Sequence, residues 1–329
     1  MSIGKGQKMS IRPADVSIVG LVGLGSVGAG WATAYLAQGC EVLAFDPTPG
    51  AELAARKFLE DTWSAMRELG LTSTGAPPVE KLHFVSVAEL ARRAQVVHEN
   101  VPEDIRVKRD TFTQLEAAAP RSTIICSSSG GLTPSELQAE MTAPERLVIA
   151  HPFNPAHLIP LVEIIGGKHT SPQTIDWTMT LMRRIGKKPI KLDREVTAYL
   201  ANRLQFALLR EAVHCLAEGV ADARSIDDAV RYALAPRWLI MGALMTFSLA
   251  GGPGGMPALL EKFSASTEKW WDSLGAPRLT PDVRAKLITA GDELAGGKSV
   301  NDWISYRDRR LVELLAFMRD HEEQTVSLD

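Results

Sequence analysis

Gly23-Leu24-Gly25-Ser26-Val27-Gly28 stands between an apolar, β-rich run at residues 17–22 and a helix-period segment at residues 28–38. A G-x-G-x-x-G sequence alone is a weak signal, but a strand before it and a helix after it give each glycine a task. Gly23 permits the tight turn. Gly25 lets backbone approach a pyrophosphate, and Gly28 lets helix and strand pack closely. The amides of Ser26 and Val27 would then open a helix whose positive end favours the anion. Asp46 ends the next strand-like run, at 41–45, where an acid accepts hydrogen bonds from the adenosine ribose and disfavours a 2′-phosphate. The expected cofactor is therefore NAD rather than NADP. The plain alternatives are a glycine turn with no ligand and an Asp46-Pro47 turn initiator.

The grammar around this loop extends the constraint. Further β-rich runs fall at 82–85, 95–99, 123–127, 147–150 and 189–192, with helical patterns at 51–69 and 107–118. Such alternation predicts an α/β fold with a Rossmann-type, doubly wound, mostly parallel sheet. After about residue 192 the strands stop. Helical patterns cover 196–218, 281–294 and 302–321, and Ser225-Ile226-Asp227-Asp228 reads as a capped helix start. The expected organisation is an N-terminal arm (1–15), an NAD-binding domain (16–192) and an all-helical domain for substrate binding and dimerisation (193–329).

A chain of 329 residues with 45% hydrophobic residues suits two cores. A net charge of −3 gives no concentrated basic surface for nucleic acid or an anionic membrane. Cys40, Cys126 and Cys215 are far apart and lack metal-ligand spacing, so no metal is expected and a reducing setting fits. The first 15 residues are polar, without the apolar core of a signal peptide, which points to the cytoplasm. Residues 238–260 carry no charge, but Gly251-Gly252-Pro253-Gly254-Gly255 and Pro257 interrupt them. The apolar part is shorter than the roughly 18–20 residues a spanning helix needs, so a buried helix followed by a loop is expected.

His151-Pro152-Phe153-Asn154-Pro155 follows the run at 147–150, and Leu161-Val162-Glu163-Ile164-Ile165 comes soon after. A lone histidine at a strand end is commonly a capped core residue. Here two prolines fix the segment around an asparagine, and Glu163 sits in an otherwise apolar run where a charge needs a partner. Together His151 and Glu163 make a natural acid–base pair, the carboxylate holding the imidazole and stabilising its charged form.

With these motifs the chain resembles the L-3-hydroxyacyl-CoA dehydrogenase superfamily over about residues 16–256. The resemblance is closest to the branch acting on free acids, of which carnitine is the substrate suggested, and more distant to the gulonate branch. It rests on Ala150-His151-Pro152-Phe153-Asn154, Pro160-Leu161-Val162-Glu163-Ile164, residues 226–231, Arg237-Trp238 and residues 248–256. It implies oxidation of a 3-hydroxyl with NAD. His151 would be the general base, Glu163 its orienting partner, and Asn202 the donor to the reacting oxygen. Asn154 would lie by the nicotinamide, Glu103 and Lys108 would be further cofactor contacts, and Ser127, Ser128 and Ser129 would line the nicotinamide side. For a trimethylammonium group, Phe153, Trp238 and Phe247 are candidate walls, with core packing the ordinary alternative. A homodimer is expected.

Two departures bear on substrate. Gly130 stands where the family usually has a substrate-binding serine, so that contact is missing unless Ser129 supplies it. The segment at 51–69 has only Arg56, Lys57 and Arg67 where the CoA-using members carry a lysine-rich helix. A CoA 3′-phosphate needs cations, so a small free hydroxy acid is favoured. Another 3-hydroxy acid or acyl-CoA, or a catalytically silent NAD-binding structural protein, remain the alternatives.

Overall fold

The structure, a computed structural model, describes residues 11–322. It divides into two compact units. One runs to Asn202 and includes the chain from Ser305 onward; the other is Arg203–Ile304. The division lies later than residue 193, and the C-terminal helix returns to the first unit.

In the first unit, β1 (Ile18–Val22), α1 (Ser26–Ala37), β2 (Glu41–Phe45), α2 (Ala51–Glu68), β3 (Leu82–Phe84), α3 (Val87–Arg93) and β4 (Val96–Glu99) build one half of a sheet. Then come α4 (Ile105–Ala118), β5 (Ile124–Ser127), α5 (Pro134–Gln138), β6 (Leu147–Pro152), β7 (Leu161–Gly166), α6 (Pro172–Arg184) and β8 (Lys188–Leu192). The eight strands lie in the order β3-β2-β1-β4-β5-β6-β7-β8. Every pairing is parallel except β6 with β7.

The strands between the edges β3 and β8 read as largely apolar runs because both faces are covered, whereas β8 (Lys-Pro-Ile-Lys-Leu) is partly exposed. Alternate residues serve opposite faces. Val42, Ala44, Val148 and Ala150 join a core with Trp31 of α1, Leu59 and Trp63 of α2, and Trp177 and Leu181 of α6. Leu43, Leu147 and Ile149 join a second core with Leu90 of α3 and Phe112 and Leu115 of α4. In α2 the buried residues are Ala55, Leu59, Trp63 and Met66, the i, i+4, i+8, i+11 stripe of an amphipathic helix. β1 has β2 on one side and β4 on the other. The chain thus leaves the two adjacent strands β1 and β4 toward opposite faces, the topological switch point at whose carboxyl ends such sheets bind ligands.

The second unit contains most of α7 (Ala201–Ala217), then α8 (Ala223–Ala229), α9 (Ala235–Ala250), α10 (Gly255–Ser273), α11 (Pro281–Ala295) and the start of α12 (Val300–Glu322). No strand occurs among its residues. From Ser305 onward α12 belongs to the first unit, where Val312 packs with Leu69 and Leu158.

Several expectations need correction. The helix expected from residue 196 begins at Ala201, because Ala198 (φ 63°) and Tyr199 (φ 52°) are left-handed and break the run. The cap expected at Ser225 is Asp222, whose carboxylate accepts from the Ser225 amide at 2.7 Å. Residues 238–260 are not a buried helix with a loop after it. α9 is exposed in the single chain, with Ile240 69% and Leu244 80% accessible, and α10 follows after one short turn. The stretch Ala223–Ala250 is long and apolar enough to cross a membrane by length and composition. However, non-helical backbone at Gly242 (φ 74°, ψ 170°) breaks it internally. Of the expected arm, residues 1–10 lie outside the described residues. The described part is docked: Trp177 Nε1 donates to the Ile11 carbonyl, and Arg184 Nη1 to those of Pro13 and Val16.

Candidate active site

His151 and Glu163 are directly opposed in the antiparallel register of β6 and β7, so their side chains share one face. His151 Nδ1 donates to Glu163 Oε2 at 2.9 Å. The other oxygen of Glu163 accepts the amides of Leu200 (2.9 Å) and Ala201 (2.8 Å), closing the first turn of α7. Burial pushes the Glu163 carboxyl up, but the imidazole and the two amides outweigh it and hold it below the usual glutamate range. The ionised carboxylate fixes the tautomer: the proton sits on Nδ1 and the Nε2 lone pair is free to act as a base. The rings of Phe153 (4.7 Å between centroids) and Tyr199 (5.4 Å) flank the imidazole edge-on.

Nε2 faces Gly130. The position a Cβ would take at Gly130 lies 3.0 Å from His151 Nε2 and 3.6 Å from Asn202 Nδ2. Asn202 Nδ2 donates to the Gly130 carbonyl at 3.2 Å. His151 Nε2 and Asn202 Nδ2 therefore face one point beside Gly130, an acceptor and a donor that can flank a single oxygen, with Glu163 behind the imidazole. The arrangement can take a proton from a hydroxyl and stabilise the oxygen left behind.

The glycine loop opens at the end of β1. A Cβ at Gly23 (φ 88°) would lie 2.7 Å from the Asn100 backbone, and one at Gly28 would lie 1.9 Å from the Gly23 carbonyl. Protein geometry alone demands glycine at both. At Gly25 a Cβ would meet nothing within 4 Å. The loop presents bare backbone to open space there, at the N-terminus of α1 with Ser26 and Val27, which fits a pyrophosphate. Asp46 Oδ2 accepts the Leu24 amide (2.7 Å) and Oδ1 the Thr48 amide (2.8 Å). Burial works against this carboxylate, but the two amides keep it below the usual aspartate range. Asp46 is partly exposed and retains lone pairs for ribose hydroxyls, so the loop and Asp46 suit NAD.

Glu103, Lys108 and the serine run form a bonded cluster. Lys108 is buried, with Nζ 2.8 Å from Glu99 Oε1 and 3.4 Å from Glu103 Oε2. Its ammonium is held by protein groups, so it supports the site through Glu103. Glu103 accepts the Gly131 amide (2.9 Å), the Leu132 amide (3.1 Å) and the Ser129 hydroxyl. Ser129 is fully buried with its hydroxyl committed, which removes it as a stand-in for a side chain at Gly130. Ser127 donates to Glu99. Ser128 is partly buried; its hydroxyl donates to Asn100 Oδ1 at 2.8 Å and accepts from Trp31 Nε1 at 3.1 Å. Asn154 is exposed, two residues beyond Pro152 at the end of β6. Trp238, half-buried, and Phe247, exposed, lie on α9 of the other unit.

The structure adds residues that sequence reasoning missed. Tyr199, fully buried, packs beside His151 and donates its hydroxyl to the Leu132 carbonyl. Asn100 sits under the glycine loop, its Nδ2 3.4 Å from the Gly23 carbonyl. A polar residue ending an apolar strand was its only signal. Lys187 Nζ donates to the carbonyls of Ala156 (2.6 Å) and Ile159 (3.0 Å), in the segment that follows Asn154.

Comparison with known proteins gives a consistent picture. The profile of the 3-hydroxyacyl-CoA dehydrogenase NAD binding domain matches residues 18–196, and that of the 3-hydroxyacyl-CoA dehydrogenase C-terminal domain matches 199–280. An L-carnitine dehydrogenase from Streptomyces griseus is 40% identical over 303 residues, covering 92% of this chain and 90% of its own. Another from Pseudomonas putida is 39% identical over 302 residues, covering 92% and 94%. Among solved structures, 5-formyl-3-hydroxy-2-methylpyridine 4-carboxylic acid 5-dehydrogenase, an NAD+-dependent dismutase, aligns with a TM-score of 0.79 at 26% identity, covering 92% of this chain and 99% of its own. A diketoreductase aligns with a TM-score of 0.61 at 26% identity, covering 77% and 92%.

Proposed function

The chain belongs to the 3-hydroxyacyl-CoA dehydrogenase family, NAD-dependent oxidoreductases of 3-hydroxy acids or their CoA esters, and from that premise we propose that it oxidises the 3-hydroxyl of a small free L-3-hydroxy acid, L-carnitine first among them. The observation that carries this reading is the 2.9 Å contact between His151 Nδ1 and Glu163, with Nε2 turned toward Gly130 and Asn202.

Bound NAD would supply the hydride acceptor for the carbinol carbon. Gly23, Gly25, Ser26, Val27 and Gly28 would hold its pyrophosphate, Asp46 its ribose, and Glu103, positioned by Lys108, would with Ser128 and Asn154 line the nicotinamide half. His151 Nε2 takes the hydroxyl proton, and the new positive charge rests against Glu163. Asn202 donates to the oxygen as it becomes a carbonyl. General base catalysis of this kind supplies about 10²–10⁴-fold in rate.

Two features favour a free acid over a CoA ester. Arg56 on α2 is bound to Glu52 and to the carbonyls of Val79 and Leu82, and Lys57 is paired with Asp61 at 2.8 Å. Neither is a loose cation awaiting a phosphate. The 40% identity to L-carnitine dehydrogenases favours carnitine, for whose trimethylammonium Phe153, beside His151, is the aromatic candidate of the first unit.

The exposed apolar surface of α9 is proposed to dock a second copy, giving a homodimer. A membrane-spanning role would place the interrupted backbone at Gly242 in hydrocarbon, where unpaired backbone is costly. A mass in detergent-free solution tests this, and a monomer would contradict it. The cysteines form no disulfides, which accords with a cytoplasmic enzyme.

Initial rates of NADH formation on L-carnitine, D-carnitine, L-gulonate, 3-hydroxybutyrate and 3-hydroxybutyryl-CoA, with NAD and with NADP, test the reading. L-carnitine with NAD is expected to give the highest kcat/KM. A preference for the CoA ester would overturn the free-acid assignment, and no turnover of any acid would overturn the dehydrogenase itself.

A further inference from the structure

Four consecutive residues at the entry to α7 each bind the site. Tyr199 donates its hydroxyl to the Leu132 carbonyl, the amides of Leu200 and Ala201 donate to Glu163, and Asn202 Nδ2 donates to the Gly130 carbonyl. Glu163 and Asn202 act in the proposed chemistry, whereas Tyr199 has no part in it.

The backbone at Tyr199 is unusual. Its φ is 52° and that of Ala198 is 63°, two left-handed residues in succession without a glycine. Such backbone persists only where the surroundings over-determine it. The Tyr199 side chain is fully buried, and it makes two directed contacts. The ring meets the His151 imidazole edge-on, with 5.4 Å between centroids and 65° between planes. The hydroxyl ends on the turn that faces His151 Nε2. Burial pushes the phenol well above its ordinary value, so the hydroxyl keeps its proton and remains a donor.

The turn at 129–132 is thereby held from two sides. Glu103 accepts the amides of Gly131 and Leu132 and the Ser129 hydroxyl. On the carbonyl side, Asn202 holds Gly130 and Tyr199 holds Leu132. Because Tyr199 also touches the imidazole, one side chain reaches from the base to the turn that the base faces.

We propose that Tyr199 is a positioning residue for proton transfer: its ring sets the tilt of the His151 imidazole and its hydroxyl sets the Leu132 carbonyl, which holds base and turn at one spacing. The inference rests on the proposed role of His151 as base. His151→Ala tests that role by itself, whereas the test below reads how well the base is placed.

The experiment compares the full-length wild type with Tyr199→Phe and Tyr199→Leu on the hydroxy acid of highest wild-type kcat/KM, with NAD. Rates are counted per NADH-binding site from fluorescence titration, and thermal melts are recorded beside them. Tyr199→Phe keeps the ring and loses the donor; Tyr199→Leu loses both. Misplacing a reacting group by about 1 Å can cost roughly 10²-fold. Tyr199→Phe is expected to lower kcat by about 10- to 100-fold, and Tyr199→Leu to lower it further. The KM for NAD is expected to stay close to that of the wild type in both. Deuterium at the carbinol carbon is expected to slow Tyr199→Phe at least as much as the wild type, since the impaired step is the chemical one. A purely structural tyrosine would give another pattern, a lower melting temperature with kcat per site unchanged, and that result overturns the inference. So do a diminished isotope effect, and equal kcat in the two variants, since the ring would then do nothing. Failure of both variants to bind NADH assigns Tyr199 to the fold alone and overturns it as well. If only Tyr199→Leu fails to bind, the rate and isotope effect of Tyr199→Phe decide.

Discussion

The carboxylate of Glu163 serves two partners at once: one oxygen lies 2.9 Å from His151 Nδ1, and the other accepts the first amides of α7 at Leu200 and Ala201. The side chain that orients the base therefore also anchors the helix start that carries Asn202. Base and oxygen donor are placed by a single buried charge.

Glu163→Gln separates these tasks. The amide oxygen can still accept from Leu200 and Ala201, so the helix start survives. Its NH₂ would then donate to Nδ1 and force the proton onto Nε2, removing the base. kcat is expected to fall by about 10²–10⁴-fold, with circular dichroism unchanged. Steady-state kinetics on the best substrate checks this, and a loss under about tenfold would count against the tautomer argument.

Gly25 and Gly28 are predicted to fail differently. A Cβ at Gly28 would lie 1.9 Å from the Gly23 carbonyl, whereas one at Gly25 meets nothing within 4 Å. Gly25→Ala is expected to keep its stability within about 0.5 kcal/mol, as surface changes do, yet to lose NADH affinity. Gly28→Ala is expected to lose both. Thermal melts with NADH titrations distinguish the two outcomes.

Asp46→Ala is expected to raise the KM for NAD and to narrow the preference over NADP, by removing the ribose acceptor and the charge that repels a 2′-phosphate. Two loop amides, of Leu24 and Thr48, also lose their acceptor. Parallel kinetics with the two cofactors provide the check, and an unchanged NAD-to-NADP ratio would contradict the assignment.

Burial pushes the Lys187 ammonium down to about 7. The unfolded chain keeps its proton to about 10.5, so above about pH 7 unfolding takes up a proton and this residue's contribution to stability rises with pH. The stability difference between wild type and Lys187→Met is therefore expected to shift toward the wild type between about pH 6 and pH 9. Urea unfolding at the two values measures it. No shift between the two values would mean that the carbonyls of Ala156 and Ile159 keep the amine charged.

The sheet was legible because the strands between its edges are buried on both faces and read as apolar runs. The dyad was legible for a related reason: Glu163 is a charge inside such a run. Tyr199 was not. Its left-handed backbone lies in a stretch with helical periodicity, and only tertiary contacts with Leu132 and His151 account for it. The commitment of Ser129 and Lys108 to Glu103 was hidden as well, since sequence spacing cannot tell a hydroxyl that faces a ligand from one already bonded. The second unit misled because an uncharged stretch reads as buried, whereas α9 is exposed in the single chain.

The most direct measurement is turnover of His151→Ala beside its affinity for NADH. The imidazole contacts Glu163 and faces Gly130, away from the glycine loop and Asp46. The account predicts that kcat falls by at least about 10²-fold while the NADH dissociation constant stays close to that of the wild type. A purified variant that binds NADH and turns over at the wild-type rate would contradict it.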